Sequence, residues 1–357
     1  MEQFKFKDKM TPKERLKAYS LGENIDRIPC IPMMGVTLSS YIGATPNQYY
    51  HSPELVAELE KALFKRFRHD GVGIAIELHD IAAAMGSKLN FSENRLCYVE
   101  EPAIKSINEV YKLKPINPKT DGLIPLRLKS LDLVKKALGH EVDVGTDIPA
   151  PFSTAASVMG TDNFLKALIR EPIKVHELLE VVTESTLRII DTFCELGVDL
   201  GFSDPVASIS MISDKKYKEF AMPYTKRCID RMKEKSNCGT TLHICGRSKE
   251  IWNHMLNTGI DTLSIDNVED LEEAKNIAGK RVCISGNVDP VYIMNKGTRE
   301  EVINATKECI KKGYNSPNGF VLSTGCQIPL NSPIENIDAM MDTARTYGAY
   351  PIEPEKW

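Results

Sequence analysis

Short apolar runs alternate with longer amphipathic stretches from about Arg27 onward. Ile28-Pro29-Cys30-Ile31-Pro32-Met33 reads as a first strand, and residues 71–78, with Val72-Gly73-Ile74-Ala75-Ile76 at their centre, as a second. Between them, Ser52-Pro53-Glu54-Leu55 opens a helix predicted to run to residue 69. The serine satisfies an orphan backbone amide, proline at the first helical position sacrifices no hydrogen bond, and the acid suits the positive end of the helix dipole. Residues 86–125 mix turn signals without a clear period. A helix is predicted over 126–139 and a strand over 142–146.

The second half is more regular. Helices are predicted over 172–196, 213–235, 248–257, 269–278, 298–312 and 332–347. Strands are predicted over 198–203, 240–245, 262–266 and 281–285, and in the run ending at Cys326. Strands separated by helices predict a parallel sheet. This many successive β-α units fit a (β/α)8 TIM barrel, one domain over residues 1–357 with an N-terminal extension. A doubly wound open sheet is the alternative, and no Gly-rich phosphate loop at a strand-to-helix turn supports it.

Composition narrows the class. The chain has 357 residues, 42% hydrophobic and 26% charged, as in ordinary soluble globular proteins. A net charge of −4 and a pI of about 6.1 leave no basic footprint for nucleic acid. No run of 18 apolar residues is present, so no membrane span is expected. Residues 1–15 are polar and charged and do not read as a secretory signal. Nine cysteines, an odd number without a disulfide framework, fit a reducing cytoplasm with free or metal-bound thiols.

Three of these residues carry the sharpest chemistry. His243 and Cys245 lie two apart in a strand, on one face, with Cα atoms about 6.6 Å apart. Cys326 ends another strand. Strand ends at the carboxyl side are where such barrels place their active sites. One imidazole and two thiolates form a soft three-ligand set that suits zinc and leaves its fourth position open. Two thiolates cancel the charge of a divalent zinc, which then holds an incoming thiol as thiolate yet leaves it nucleophilic. Sites that acidify water more often use neutral histidines. The set therefore favours alkyl transfer to sulfur over hydrolysis.

Other strand ends supply further candidates. Asp266 reads as a displaceable fourth ligand, as a partner that orients His243, or as the N-cap of the helix near Glu269. Asp204, before Pro205, reads as a catalytic acid or as a turn former. Asn287, with Asp289, and His79, beside Asp80, are candidates to hold a cofactor or substrate, or simply build their turns. The remaining cysteines, such as Cys194 and Cys283, read as core filler.

At these residues the chain resembles a known family. Leu242-His243-Ile244-Cys245-Gly246, Asp204-Pro205-Val206-Ala207-Ser208, Ser285-Gly286-Asn287-Val288 and Gly325-Cys326 followed by Ile328-Pro329 resemble the uroporphyrinogen decarboxylase superfamily. Within it they are similar to the corrinoid-dependent branch that includes methylcobalamin:coenzyme M methyltransferases. The likeness runs from Lys13-Glu14-Arg15 and Asp26-Arg27-Ile28-Pro29 to the Ser332-Pro333 helix. The spacing is also similar to that of cobalamin-independent methionine synthase, which has an acid about where Asp266 lies. The resemblance implies a (β/α)8 barrel with catalytic zinc on His243, Cys245 and Cys326. It implies methyl transfer between a corrinoid and an acceptor, a thiol such as coenzyme M. Tetrahydrofolate as acceptor, or demethylation of a donor to load the corrinoid, are the alternatives. Porphyrin decarboxylation fits less well, because Pro32-Met33-Met34-Gly35-Val36-Thr37 lacks the family's carboxylate-gripping arginines. One barrel takes up the length, so the corrinoid is expected on a separate protein or as free methylcobalamin.

Overall fold

The computed structural model describes residues 8–236 and 239–357, so the expectation for the first seven residues lies outside it. Nine strands are described: β1 (Val72–Gly73), β2 (Lys88–Asn90), β3 (Tyr98–Glu101), β4 (Val144–Pro149), β5 (Asp199–Ser203), β6 (Thr240–Ile244), β7 (Thr262–Ile265), β8 (Cys283–Val288) and β9 (Phe320–Thr324). Seven of them form one parallel sheet in the order β1-β4-β5-β6-β7-β8-β9, with helices in the crossovers. This is the expected (β/α)8 barrel. β2 and β3 form a separate antiparallel pair inside the region that read ambiguously.

The eighth stave is the segment around Cys30. Leu322 donates its N–H to the Pro29 carbonyl at 2.9 Å, and Ile31 donates to Leu322 at 2.8 Å. On the other side Asp70 donates to the Cys30 carbonyl at 3.0 Å. Pro29 and Pro32 have no N–H, so a full ladder cannot form here. The strand expected over 28–33 is reduced to the single bridge Cys30↔Leu322.

Side-chain alternation sorts the sheet into two faces. Val72, Ile74, Ile76, Leu200, Phe202, Leu242, Ile244, Leu263 and Ile265 are buried beneath the helices. The intervening positions face the lumen. Register carries this face across the sheet through Gly73↔Gly145, Asp147↔Gly201, Ser203↔His243 and His243↔Ser264.

Several helices depart from expectation. The helix after Ser52 is Pro53–Phe67, ended by Arg68 at φ 52°. The predicted 213–235 helix divides into Asp214–Lys216, a wider π turn at Tyr217–Ala221, and Met222–Lys235. Pro223 has no N–H for an i→i−4 bond, and the wider turn accommodates the missing donor. Two helices, Pro151–Met159 and Thr161–Arg170, fill a stretch the periodicity left unassigned.

The N-terminal extension closes the far end of the barrel. Its helix, Pro12–Ser20, carries a capping box between Thr11 and Glu14. Arg15 and Arg27 converge on the buried Asp70 carboxylate, which also accepts the Cys30 N–H at 2.7 Å. Among the described residues no helix is long and apolar enough to cross a membrane.

Candidate metal centre

His243 stands on the lumen face of β6, with Ser264 of β7 beside it in register. Its Nδ1 lies 3.1 Å from the Ser264 Oγ. Donation from Nδ1 to that hydroxyl fixes the tautomer and presents the Nε2 lone pair to the sulfurs. Nε2 is 3.0 Å from the Cys245 Sγ, and the Cys245 Sγ is 3.2 Å from the Cys326 Sγ. All three ligand atoms fall within 4.8 Å of one another.

Cys326 arrives from the turn after β9, and Gly325 makes that turn possible. A Cβ on Gly325 would lie 2.3 Å from the backbone nitrogen of Asn267. Any other residue would push Cys326 away from the other two ligands.

The electrostatics fit a divalent ion. A hydrogen bond from Cys245 favours the Cys326 thiolate against the cost of burial, and His243 helps. The same bond pushes the Cys245 thiol upward, so the two sulfurs resist ionising together. Burial opposes charge on His243, but Cys326, Asp147 and Asp266 outweigh it and raise its pKa. A soft cation relieves this frustration by ligating both sulfurs as thiolates and His243 as neutral imidazole. The donor set and its clustering suit zinc.

The other predicted residues separate into distinct roles. Asp266 is 8% exposed and accepts the Gly246 N–H at 2.7 Å and the Val268 N–H at 3.2 Å. It does not cap the following helix: Asp270 does, accepting from the Glu273 N–H at 2.9 Å. Asn287 gives both amide hydrogens to backbone carbonyls, of Asp266 at 3.0 Å and Glu269 at 2.8 Å. It therefore props the turn behind the site and has no donor left for a ligand. Asp289 accepts from Val291, Tyr292 and the Asn267 side chain.

Asp204 is buried against the helix Pro151–Met159, accepting from the Ser153 N–H at 2.9 Å and its hydroxyl at 2.6 Å. Its second oxygen has no partner among the described residues, and burial pushes its pKa to about 7. His79 precedes the helix Asp80–Ala84, with Nδ1 2.9 Å from the Ser157 hydroxyl. Burial lowers its pKa, and its neighbour Asp80 is paired with buried Arg127 at 2.7 Å. Neither Asp204 nor His79 joins the three-ligand cluster.

Two lumen carboxylates escaped the sequence reading. Asp147 on β4 accepts the Ser203 hydroxyl at 2.5 Å and lies within electrostatic reach of His243 and Cys326. Glu77 follows β1 on the same face. It makes no side-chain hydrogen bond or ion pair among the described residues, and burial pushes its pKa to about 7. A lone acid closing the apolar run Ile74-Ala75-Ile76 was the available signal.

Fold and site together define a (β/α)8 barrel with one histidine and two cysteines, a set that could hold a soft metal, gathered at the carboxyl ends of its strands. The chain belongs to the uroporphyrinogen decarboxylase (URO-D) family, whose model matches residues 11–347. It is 26% identical over 335 residues to a methylated-thiol–coenzyme M methyltransferase of Methanosarcina mazei, covering 92% of this chain and 88% of the relative. It is 28% identical over 342 residues to the methylcobamide:CoM methyltransferase MtbA of Methanosarcina acetivorans, covering 94% and 98%. A solved methyltransferase from Methanosarcina mazei superposes with a TM-score of 0.84 at 24% identity, over 94% of this chain and 98% of that one.

Proposed function

We propose that this protein is a zinc-dependent methyltransferase that moves a methyl group between a corrinoid and an acceptor thiol. The observation that carries this reading is the clustering of His243, Cys245 and Cys326 within 4.8 Å at the catalytic end of the barrel. The names of the relatives, methyltransferases acting on methylcobamide or methylated thiols, support the same chemistry.

His243, Cys245 and Cys326 would hold the metal. When bound, zinc supplies the positive charge that keeps an acceptor sulfur ionised near neutral pH, while two thiolate ligands preserve its nucleophilicity. Ser264 keeps the His243 ring turned toward the sulfurs. Asp266 holds the Gly246 backbone, and with it the end of β6 that carries Cys245. The acceptor thiolate attacks the cobalt-bound methyl, the Co–C bond breaks as the S–C bond forms, and the electron pair stays on cobalt. The corrinoid arrives on a separate protein, or free, at the mouth formed by the strand ends. A cytoplasmic setting fits the free thiols.

The test is thiol-dependent loss of methyl from methylcobalamin, followed by absorbance, with zinc-loaded wild type and with Cys326→Ala. Transfer is expected from the wild type alone. Equal rates in both, or no transfer to any thiol, would overturn the reading.

A further inference from the structure

Glu77 and Asp147 share the lumen face with the metal-binding side chains. Val72↔Val144 and Gly73↔Gly145 align the two staves, and Ile76 donates its N–H to the Asp147 carbonyl at 2.9 Å. Residues 73, 75 and 77 therefore point the same way as 145, 147 and 149. Ser203, which donates to Asp147, is the register neighbour of His243. Asp147 thus stands on the stave beside β5, which leads to the triad, and Glu77 on the stave beyond Asp147.

Among the described residues neither acid forms an ion pair, although Arg127 acts on Glu77, and His243 on Asp147, at longer range. Buried Arg127 gives its hydrogen bonds to Asp80 and to the Tyr50 carbonyl. Arg247 is exposed on the rim after Gly246. The segment after the first stave, Met33-Met34-Gly35-Val36-Thr37, brings no positive side chain. Asp266 adds a third carboxylate, already engaged by two backbone N–H groups. Two thiolates cancel a divalent metal, so the lumen keeps the sign of its carboxylates. An anionic acceptor would lose hydration and face like charges at low dielectric, whereas a cation would meet ready partners.

We propose that the acceptor is a small aminothiol, its sulfur at the His243–Cys245–Cys326 triad and its ammonium between Glu77 and Asp147. This rests on the reading of the triad as a thiol-binding metal site. It separates this chain from a preference for coenzyme M, whose thiol is joined to a sulfonate. Burial raises Glu77 to about 7 and Asp147 to about 6, and an incoming ammonium would supply the charge that favours their ionised forms.

Three thiols with the same two-carbon chain test the proposal: 2-aminoethanethiol, 2-mercaptoethanol and 2-mercaptoethanesulfonate. The readout is the sulfur-to-metal charge-transfer absorption of the cobalt(II)-substituted protein, which reports binding without turnover. The aminothiol is expected to bind about 10-fold or more tightly than the neutral thiol, the scale of one charged hydrogen bond, and the sulfonate most weakly. Glu77→Gln with Asp147→Asn should retain the metal and bring the three within a few-fold. That comparison separates the ammonium's contact from its effect on thiol acidity. Glu77→Gln alone changes a side chain without hydrogen bonds among the described residues and serves if the double variant does not fold. A sulfonate bound as tightly as the aminothiol, or a ranking that survives in the variants, would overturn the proposal while leaving the methyltransferase reading intact. Failure of every thiol to perturb the spectrum would overturn both.

Discussion

The Asp266 carboxylate accepts the backbone N–H of Gly246 at 2.7 Å, so the residue just past β7 holds the turn just past β6, next to Cys245. Gly246 sits at φ 72°, a left-handed conformation that the hydrogen bond helps define. Asn287 in turn braces the Asp266 segment by donating to the Asp266 carbonyl. Cys245 is thereby positioned by residues of two neighbouring strands.

Asp266→Ala should therefore weaken the hold on the metal. Groups that position ligands typically contribute 10–100-fold in affinity, and a loss of that order is expected. Competition against a chromophoric chelator measures it. Wild-type metal affinity in this variant would reduce Asp266 to a turn former.

Purified protein should contain about one zinc per chain, as the one three-residue cluster among the described residues implies. Cys326→Ala should lose it, and Ser264→Ala should bind it about 10-fold more weakly because the imidazole is no longer held in orientation. Metal analysis by mass spectrometry checks the first, chelator competition the second. Circular dichroism of both should match the wild type, since the core of the barrel does not depend on the metal. Retention of zinc by Cys326→Ala would remove the cysteine from the ligand set.

Glu60 gives a clean pH dependence. It lies in the helix Pro53–Phe67, 2% exposed, with Oε1 unpartnered among the described residues, and burial raises its pKa from 4.5 to about 8. A raised folded-state pKa means the folded state holds the proton more tightly. The associated stability is complete below pH 4.5 and is lost as pH rises through 8. The loss by pH 9 is on the order of a few kcal/mol. Glu60→Gln should flatten it, so that urea midpoints of variant and wild type diverge at pH 9 far more than at pH 5. Parallel pH profiles for the two proteins would refute the assignment.

Asp70 tests the closed end of the barrel. Its carboxylate pairs with both Arg15 and Arg27 while accepting the Cys30 N–H. Asp70→Asn leaves two buried guanidinium groups short of countercharge. The expected cost is about 3–5 kcal/mol, read as a lowered denaturation midpoint. A variant as stable as the wild type would show that Asp8 and Asp26 suffice.

The triad was legible because strand parity alone puts His243 and Cys245 on one face, and a third sulfur at a strand end completes the set. The barrel was legible because apolar runs and amphipathic stretches alternate so regularly after residue 172. Asp147 was missed because the expected strand stopped at 146, one residue short of it. Glu77 was inside the expected run but looked like any acid until register placed it in the lumen. Asn287 read as a candidate substrate or turn residue, and only the structure shows that its amide hydrogens go to two backbone carbonyls. The first stave was legible in the apolar run 28–33, but Pro29 and Pro32 lack the N–H groups of a full ladder, so it pairs through a single bridge.

The pairing of the Cys30 segment with β9 has a consequence for how the molecule is made. Ile28 also donates its N–H to the Gly348 carbonyl at 2.9 Å, and Tyr19 bonds the Phe320 backbone. During synthesis the first stave leaves the ribosome early and must wait for nearly the whole chain before its partner exists. Until β9 emerges, β8 and the first stave expose unpaired edges of the kind that recruit foreign strands. Until then the seam between the first stave and β9, which closes the barrel beside the strand-end cluster, stays open.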